Sequence, residues 1–122
     1  MSERRWDDYV RDMIECCVKV AQRASGLDRP TFFATDVTHE SVLWNLTILR
    51  EAANNVPAPI QDAHPEIPWR AITGLRNRIV HGYLSVVDDT VWQVVHEEIP
   101  KLLPRLRELI GEAIDEGSAD AG

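Results

Sequence analysis

Residues 6–24 read WDDYVRDMIECCVKVAQRA, and this stretch decides the fold class because its apolar side chains recur every three or four residues. That period places them along one face of an α-helix. The apolar positions are Trp6, Tyr9, Val10, Met13, Cys17, Val20, Ala21 and Ala24. Gly26 and Pro30 come next and predict the end of this helix and a loop.

The same apolar period returns in the middle of the chain. A second helix is predicted over the apolar stripe at 42–56, with Thr35 or Thr38 as its N-cap. Prolines are frequent at 57–68 and allow at most a short helix around 60–63.

Two more helices are predicted in the second half of the chain. Pro68 suits the first position of one helix, because the missing N–H of proline costs nothing there, and Gly82 marks its C-terminal end. The acidic pair at 88–89 can cap the other helix. Pro100 and Pro104 predict a local kink in that last helix.

These patterns predict an all-α fold, an antiparallel bundle of about four to five helices. Strand-like alternation occurs only briefly, at 84–87. The chain has 122 residues, of which 44% are hydrophobic and 27% charged, as expected for one globular domain. We expect that domain to occupy 1–116, and 117–122 to form a flexible C-terminal tail.

Hydropathy and charge exclude several classes of protein. No apolar run approaches the roughly 18 residues of a membrane span, and no apolar segment marks a secretory signal. We therefore expect a cytoplasmic protein with no membrane partner. The net charge of −7 disfavours general nucleic-acid binding. Residues 67–87, however, contain three arginines and no acidic residue. This window therefore has a formal charge of +3, and the rest of the chain has a formal charge of −10. A compact site for a phosphate can therefore lie in this window.

The two cysteines, Cys16 and Cys17, are adjacent. Neighbouring cysteines rarely bond to each other, because the ring that they would close strains the disulfide. A buried structural pair of thiols is therefore expected. No second cluster of ligands with zinc spacing is present in the sequence, so we expect neither a metal nor a cofactor.

The acid-free window contains RNRIVHGY at 76–83, where basic, titratable and aromatic side chains concentrate. Arg76 and His81 are five residues apart and lie about 140° from each other around a helix axis. One helix cannot easily direct both at one atom, whereas two copies related by a twofold axis can. If the two residues act together, the spacing predicts a homodimer.

These residue types suit one particular chemistry. A histidine that titrates near neutrality can move protons, and an arginine can stabilise charge on a phosphorane-like transition state. Metal-independent cleavage of RNA by its own 2′-hydroxyl needs both, with His81 as base or acid, Arg76 at the phosphate and Asn77 as an orienting group. The spacing alone does not decide the matter, since a surface arginine and a histidine near a helix end fit the same pattern.

Four segments stand in one order along the chain: Glu66-Ile67-Pro68-Trp69-Arg70, Gly74-Leu75-Arg76-Asn77-Arg78, His81-Gly82-Tyr83 and Val91-Trp92. Together they resemble the HepT family of HEPN-domain proteins, the toxin half of a prokaryotic toxin–antitoxin pair. The family motif, Arg-x4-His-x-Tyr, is complete in Arg76, His81 and Tyr83, and the polar Asn77 follows the arginine.

The resemblance implies a HEPN-like, homodimeric protein that acts as a metal-independent endoribonuclease. Arg76 and His81 would be the catalytic residues, and Asn77 and Arg78 would support them. The implied partners are an RNA substrate and an antitoxin, a minimal nucleotidyltransferase that transfers AMP to Tyr83. Phosphate charge and bulk beside an arginine-lined cleft would block entry of RNA.

A second function is compatible with the same resemblance, namely a HEPN docking module that binds a nucleotidyltransferase and has no turnover of its own. The complete motif favours the ribonuclease.

The other histidines and two of the tryptophans are not assigned to a functional site. His39, His64 and His96 are expected to be solvated. Trp69 and Trp92 are expected in the core or at a dimer interface.

Overall fold

A computed structural model describes residues 4–80 and 84–121, and for 79–80, 84–87 and 112–121 it describes the backbone alone. The regular structure in these ranges is helical throughout, which confirms the all-α prediction. The helices are α1 (Trp6–Ala24), α2 (Arg29–Ala34), α3 (Asp36–Asn54), α4 (Ala58–Ala63), α5 (Trp69–Thr73), α6 (Leu75–Val80), α7 (Leu84–Gln93), a π-helical turn (Val94–Glu98) and α8 (Ile99–Ala121).

Three long helices form the centre of the molecule, because α1 packs against both α3 and α8. Their facing side chains are apolar and fully buried, as with Met13 in α1, Leu46 in α3 and Leu106 in α8. Burial of each such side chain contributes about 1.5–3 kcal/mol to folding. The shorter helices surround this centre, and α6 contacts α3, α5 and α7.

The first helix agrees with its prediction, and the segment after it does not. Gly26 adopts a φ of 74°, the left-handed conformation that ends many helices at glycine. Pro30 was expected to lie in a loop, but it occupies the first turn of α2, where proline is tolerated. Asp28 caps this short helix, since its Oδ1 accepts a hydrogen bond of 2.9 Å from the Thr31 N–H.

The third predicted helix is divided at Gly74, which separates α5 from α6. The Gly74 N–H donates to the Arg70 carbonyl at 2.9 Å and closes the last turn of α5. A Cβ at this position would lie 2.9 Å from the same carbonyl oxygen. Glycine therefore permits the tight turn between the two short helices. Pro68 precedes α5 rather than opening it.

The prediction that the last helix begins at 88–89 was wrong. α7 begins at Leu84, so the short alternating stretch is helical and the two aspartates lie inside the helix. A local kink was predicted at Pro100 and Pro104. A π-helical turn lies just before Pro100, and Pro104 lies inside α8. α8 extends to Ala121, so the backbone of 117–121 is helical where the sequence favoured a tail. In the described ranges, no helix combines the length and apolar character of a membrane span.

Candidate functional site

The first residues of the motif, Arg76, Asn77 and Arg78, lie on α6, which starts directly after the break at Gly74. The Gly74 carbonyl accepts hydrogen bonds from the N–H groups of Asn77 and Arg78, at 3.1 and 3.2 Å, and starts the helix. Leu75 is buried and anchors this end of α6 in the core. The backbone position of the polar residues that follow is therefore fixed at the start of α6.

Arg76 and Asn77 are adjacent and both exposed. In the described part of the chain, the Arg76 guanidinium makes no ion pair and the Asn77 side chain makes no hydrogen bond. An arginine and an amide are thus presented together to solvent. They could donate hydrogen bonds to phosphate oxygens or to a developing charge.

Arg78 differs from its neighbours because its guanidinium is already engaged. Its Nη1 donates to Oε1 of Glu98 at 3.0 Å, and its Nη2 donates to Oε2 at 2.7 Å. About a third of each side chain is exposed, 32% for Arg78 and 34% for Glu98. The hydrogen bond to Glu98 and the attraction of its charge raise the pKa of Arg78, although partial burial opposes the shift. Arg78 thus joins α6 to the π-helical turn.

His81 and Tyr83 lie outside the described residues. The catalytic role of His81, its relation to Arg76 and the modification of Tyr83 therefore stay predictions. Glu98 was not anticipated as a partner of the motif. It is 20 residues from Arg78 and lies on another element, and no local pattern in the sequence connects the two.

Two of the three other histidines are less solvated than predicted. The ring of His39 packs edge-on against Phe32 and Phe33, and its buried Nε2 has no hydrogen-bond partner among the described residues. His64 is 17% exposed and its Nδ1 lies 3.1 Å from Glu66. His96 is exposed, as predicted, and stacks on Trp92 with ring centroids 3.7 Å apart.

The tryptophan prediction is confirmed for Trp69, which is buried in the core and donates its indole N–H to the His64 carbonyl at 3.0 Å. Trp92 is partly buried and packs against the core. Both rings therefore contribute to the structure of the chain itself.

The cysteine prediction is also confirmed. Cys16 and Cys17 are buried and unpaired, and both lie in α1. Burial raises the pKa of the Cys16 thiol to about 11 and that of Cys17 to about 12. Both thiols are therefore protonated and weakly nucleophilic at neutral pH. Within residues 4–80 and 84–121, no group of three or more His, Cys, Asp or Glu side chains is arranged to hold a metal ion.

Comparison with known proteins gives the class to which this all-α chain belongs. The family described as "Ribonuclease HepT-like" matches residues 13–109, a range that includes α6 and the whole motif. The chain therefore belongs to the HepT-like ribonuclease family, and RNA cleavage is the type of activity that this membership indicates.

Individual relatives agree with the family. The chain is 30% identical to "Probable ribonuclease HepT" of Thermococcus cleftensis over 107 residues, which cover 88% of this chain and 97% of that protein. It is 26% identical to a protein named as a candidate RNase in Caldanaerobacter subterraneus subsp. tengcongensis, over 84% of this chain and 91% of the relative. No solved structure matched the chain.

Proposed function

We propose that this protein is a metal-independent endoribonuclease and the toxin of a toxin–antitoxin pair, with Arg76 and His81 as its catalytic residues. The observation that carries the proposal is the exposed pair Arg76 and Asn77 on α6, within the region that matches the ribonuclease family. Among the described residues the Arg76 guanidinium has no competing carboxylate, so it is available to a phosphate.

The reaction needs a base, an acid and stabilisation of charge. His81 removes the proton of the RNA 2′-hydroxyl, the 2′-oxygen attacks the adjacent phosphorus, and the bond from phosphorus to the 5′-oxygen breaks. An imidazolium returns a proton to that leaving oxygen, which yields a 2′,3′-cyclic phosphate and a 5′-hydroxyl. Arg76 stabilises the charge that grows on the non-bridging oxygens, and Asn77 orients the phosphate.

The same proposal includes a homodimer, because Arg76 and His81 are five positions apart in the sequence. On a continuous helix the two side chains would point about 140° apart, so a second copy is needed to bring both to one phosphate. The His81 residues of the two copies can then serve as base and acid. Two copies of the chain would share one cleft.

Control of the activity would come from a nucleotidyltransferase partner acting on Tyr83. The phenol gives up its proton and its oxygen attacks the α-phosphorus of ATP. The bond from the α-phosphorus to the oxygen that bridges it to the β-phosphorus breaks, so that a phosphodiester to AMP forms and pyrophosphate leaves. The added phosphate brings negative charge to the motif that contains Arg76, whose guanidinium has no carboxylate partner among the described residues. It would pair with that arginine and exclude RNA.

The test is cleavage of RNA in EDTA by the purified protein, after mass spectrometry has shown that Tyr83 is unmodified. We expect the wild-type chain to cleave and His81→Ala to be inactive while it keeps the far-UV circular dichroism and the oligomeric state of the wild type. His96→Ala is the matched control, because His96 is an exposed histidine outside the motif.

Each alternative gives a different result. Equal cleavage by the wild type and His81→Ala would remove His81 from the site. Absence of cleavage by the unmodified wild type would favour the docking module, which binds a nucleotidyltransferase without turnover. Loss of the folded state in His81→Ala would indicate a structural role for this histidine.

A further inference from the structure

The orientation of the segment that presents Arg76 and Asn77 depends on the elements packed around it, because packing supplies most of the stability of helices in proteins. The structure describes this helix over Leu75–Val80. Leu75 is buried and fixes its beginning. Contacts with other elements must therefore determine how α6 is rotated about its axis and where Arg76 points.

The bidentate pair between Arg78 and Glu98 supplies such a contact. In the part of the chain that the structure describes, it is the ion pair that joins α6 to another element. Successive helical residues are about 100° apart, so Arg78 lies on nearly the opposite side of α6 from Arg76. An anchor at Arg78 thus turns Arg76 towards solvent, as observed.

Glu98 belongs to the π-helical turn that precedes Pro100. The Ile99 N–H donates to the Val94 carbonyl, five residues back, instead of four. Pro100 has no N–H, and in a regular α-helix its ring would clash with the carbonyl of His96. A wider turn relieves this conflict, and turns of this kind are frequent at functional sites. Glu98 is the last residue of the turn.

We propose that Glu98 is a positioning residue of the RNA-cleaving site, which holds Arg78 and so fixes the orientation in which α6 presents Arg76 and Asn77. The inference rests on the proposed function. A carboxylate near an RNA site would by charge alone repel phosphate and weaken binding. If Glu98 positions Arg78, removal of its charge should slow RNA cleavage. If Glu98 acts only by repelling phosphate, removal of its charge should strengthen RNA binding.

The experiment compares Glu98→Gln with Glu97→Gln in the full chain, with RNA cleavage measured in EDTA. Glu97 is exposed in the same turn, so both variants remove one negative charge from one place. We expect Glu98→Gln to lower kcat about 10- to 100-fold with little change in KM, because small misplacement of a catalytic group has effects of this size. Glu97→Gln should keep the wild-type kcat.

Exchange of the two charges of the ion pair tests whether lost activity comes from lost positioning or from a general loss of stability. Arg78→Glu alone should be as slow as Glu98→Gln, and the exchanged pair Arg78→Glu with Glu98→Arg should recover at least part of the lost kcat. Arg78→Lys keeps the charge but not the bidentate geometry, so it should fall between these variants and the wild type. Melting temperatures should fall by no more than about 4–8 °C, because the pair is partly exposed.

Three results would overturn the inference. They are an unchanged or raised kcat in Glu98→Gln, an equal loss in Glu97→Gln, and no recovery in the exchanged pair. In all three the wild type still cleaves, so the proposed function would stand. A wild type that does not cleave would instead refute the proposed function, and the role of Glu98 would fall with it.

Discussion

α6 and the centre formed by α1, α3 and α8 use their side chains in opposite ways. The three long helices turn apolar residues inward, and Leu106 of α8 is fully buried. α6, as described over Leu75–Val80, exposes Arg76 and Asn77 while burying Leu75. Stability thus resides mainly in the three long helices, and the proposed chemistry on α6. Substitutions in the two regions should have separable effects.

The largest effect on folding is expected from Leu106→Ala. Loss of this buried side chain leaves a cavity and should lower the free energy of unfolding by about 2–5 kcal/mol. Urea unfolding followed by circular dichroism measures the change. Val37→Ala is the control, because Val37 is 77% exposed and its truncation should have little effect. Cleavage per folded molecule should be normal in both variants. A lower cleavage rate per folded molecule in Leu106→Ala alone would show that stability and cleavage do not depend on separate regions.

Arg76→Ala should have the converse effect. We expect kcat for RNA cleavage to fall about 100-fold, which corresponds to about 2.7 kcal/mol of transition-state stabilisation. Urea unfolding should be unchanged, because the side chain is exposed. Arg70→Ala removes the same charge from the same acid-free window and is the matched control. Similar losses in both variants would mean that only the local charge matters.

Gly74→Ala tests the boundary between the two regions. The new Cβ would lie 2.9 Å from the Arg70 carbonyl oxygen, so the backbone between α5 and α6 must shift. We expect a loss of about 1 kcal/mol in the free energy of unfolding. Cleavage should decrease by more than this loss explains, because the shift moves α6. A variant with full activity would show that the orientation of α6 is not set at this turn.

A smaller effect is expected from pH at the buried thiols of α1. The pKa of Cys17 rises from 9.0 to about 12 on folding, so the unfolded chain loses this proton first as pH increases. The contribution to stability is complete below pH 9 and decreases as pH rises towards 12. Urea unfolding of the wild type at pH 8 and pH 10 should show the decrease. The double variant Cys16→Ala, Cys17→Ala should show a weaker dependence, and an identical slope would contradict the assignment.

The sequence was sufficient for the parts of the fold that depend on local pattern. The apolar period at 6–24 predicted α1, and the proline-rich stretch predicted no more than a short α4. The predicted loop at Pro30 and the predicted helix start at 88–89 were wrong, because each residue type occurs in two structural contexts. Proline can interrupt a helix or occupy its first turn, and aspartate can cap a helix or lie within it.

Only part of the candidate site could be predicted from the sequence. The sequence predicted roles for Arg76 and Asn77, and both side chains are exposed, as such roles require. It did not identify Glu98, because the pair with Arg78 depends on how two helices pack. It also placed His39 in solvent, whereas its ring packs against two phenylalanines from another helix. Contacts of this kind arise only in the folded chain.

The burial of both native thiols gives the chain a practical advantage in labelling experiments. Cys16 and Cys17 are its only cysteines and both are buried, so maleimide reagents should leave the folded wild type unlabelled. A Val37→Cys substitution would then provide a single reactive thiol on α3 without replacement of either native cysteine. If the proposed homodimer forms, a spin label at that position would report the distance between its two copies directly in solution.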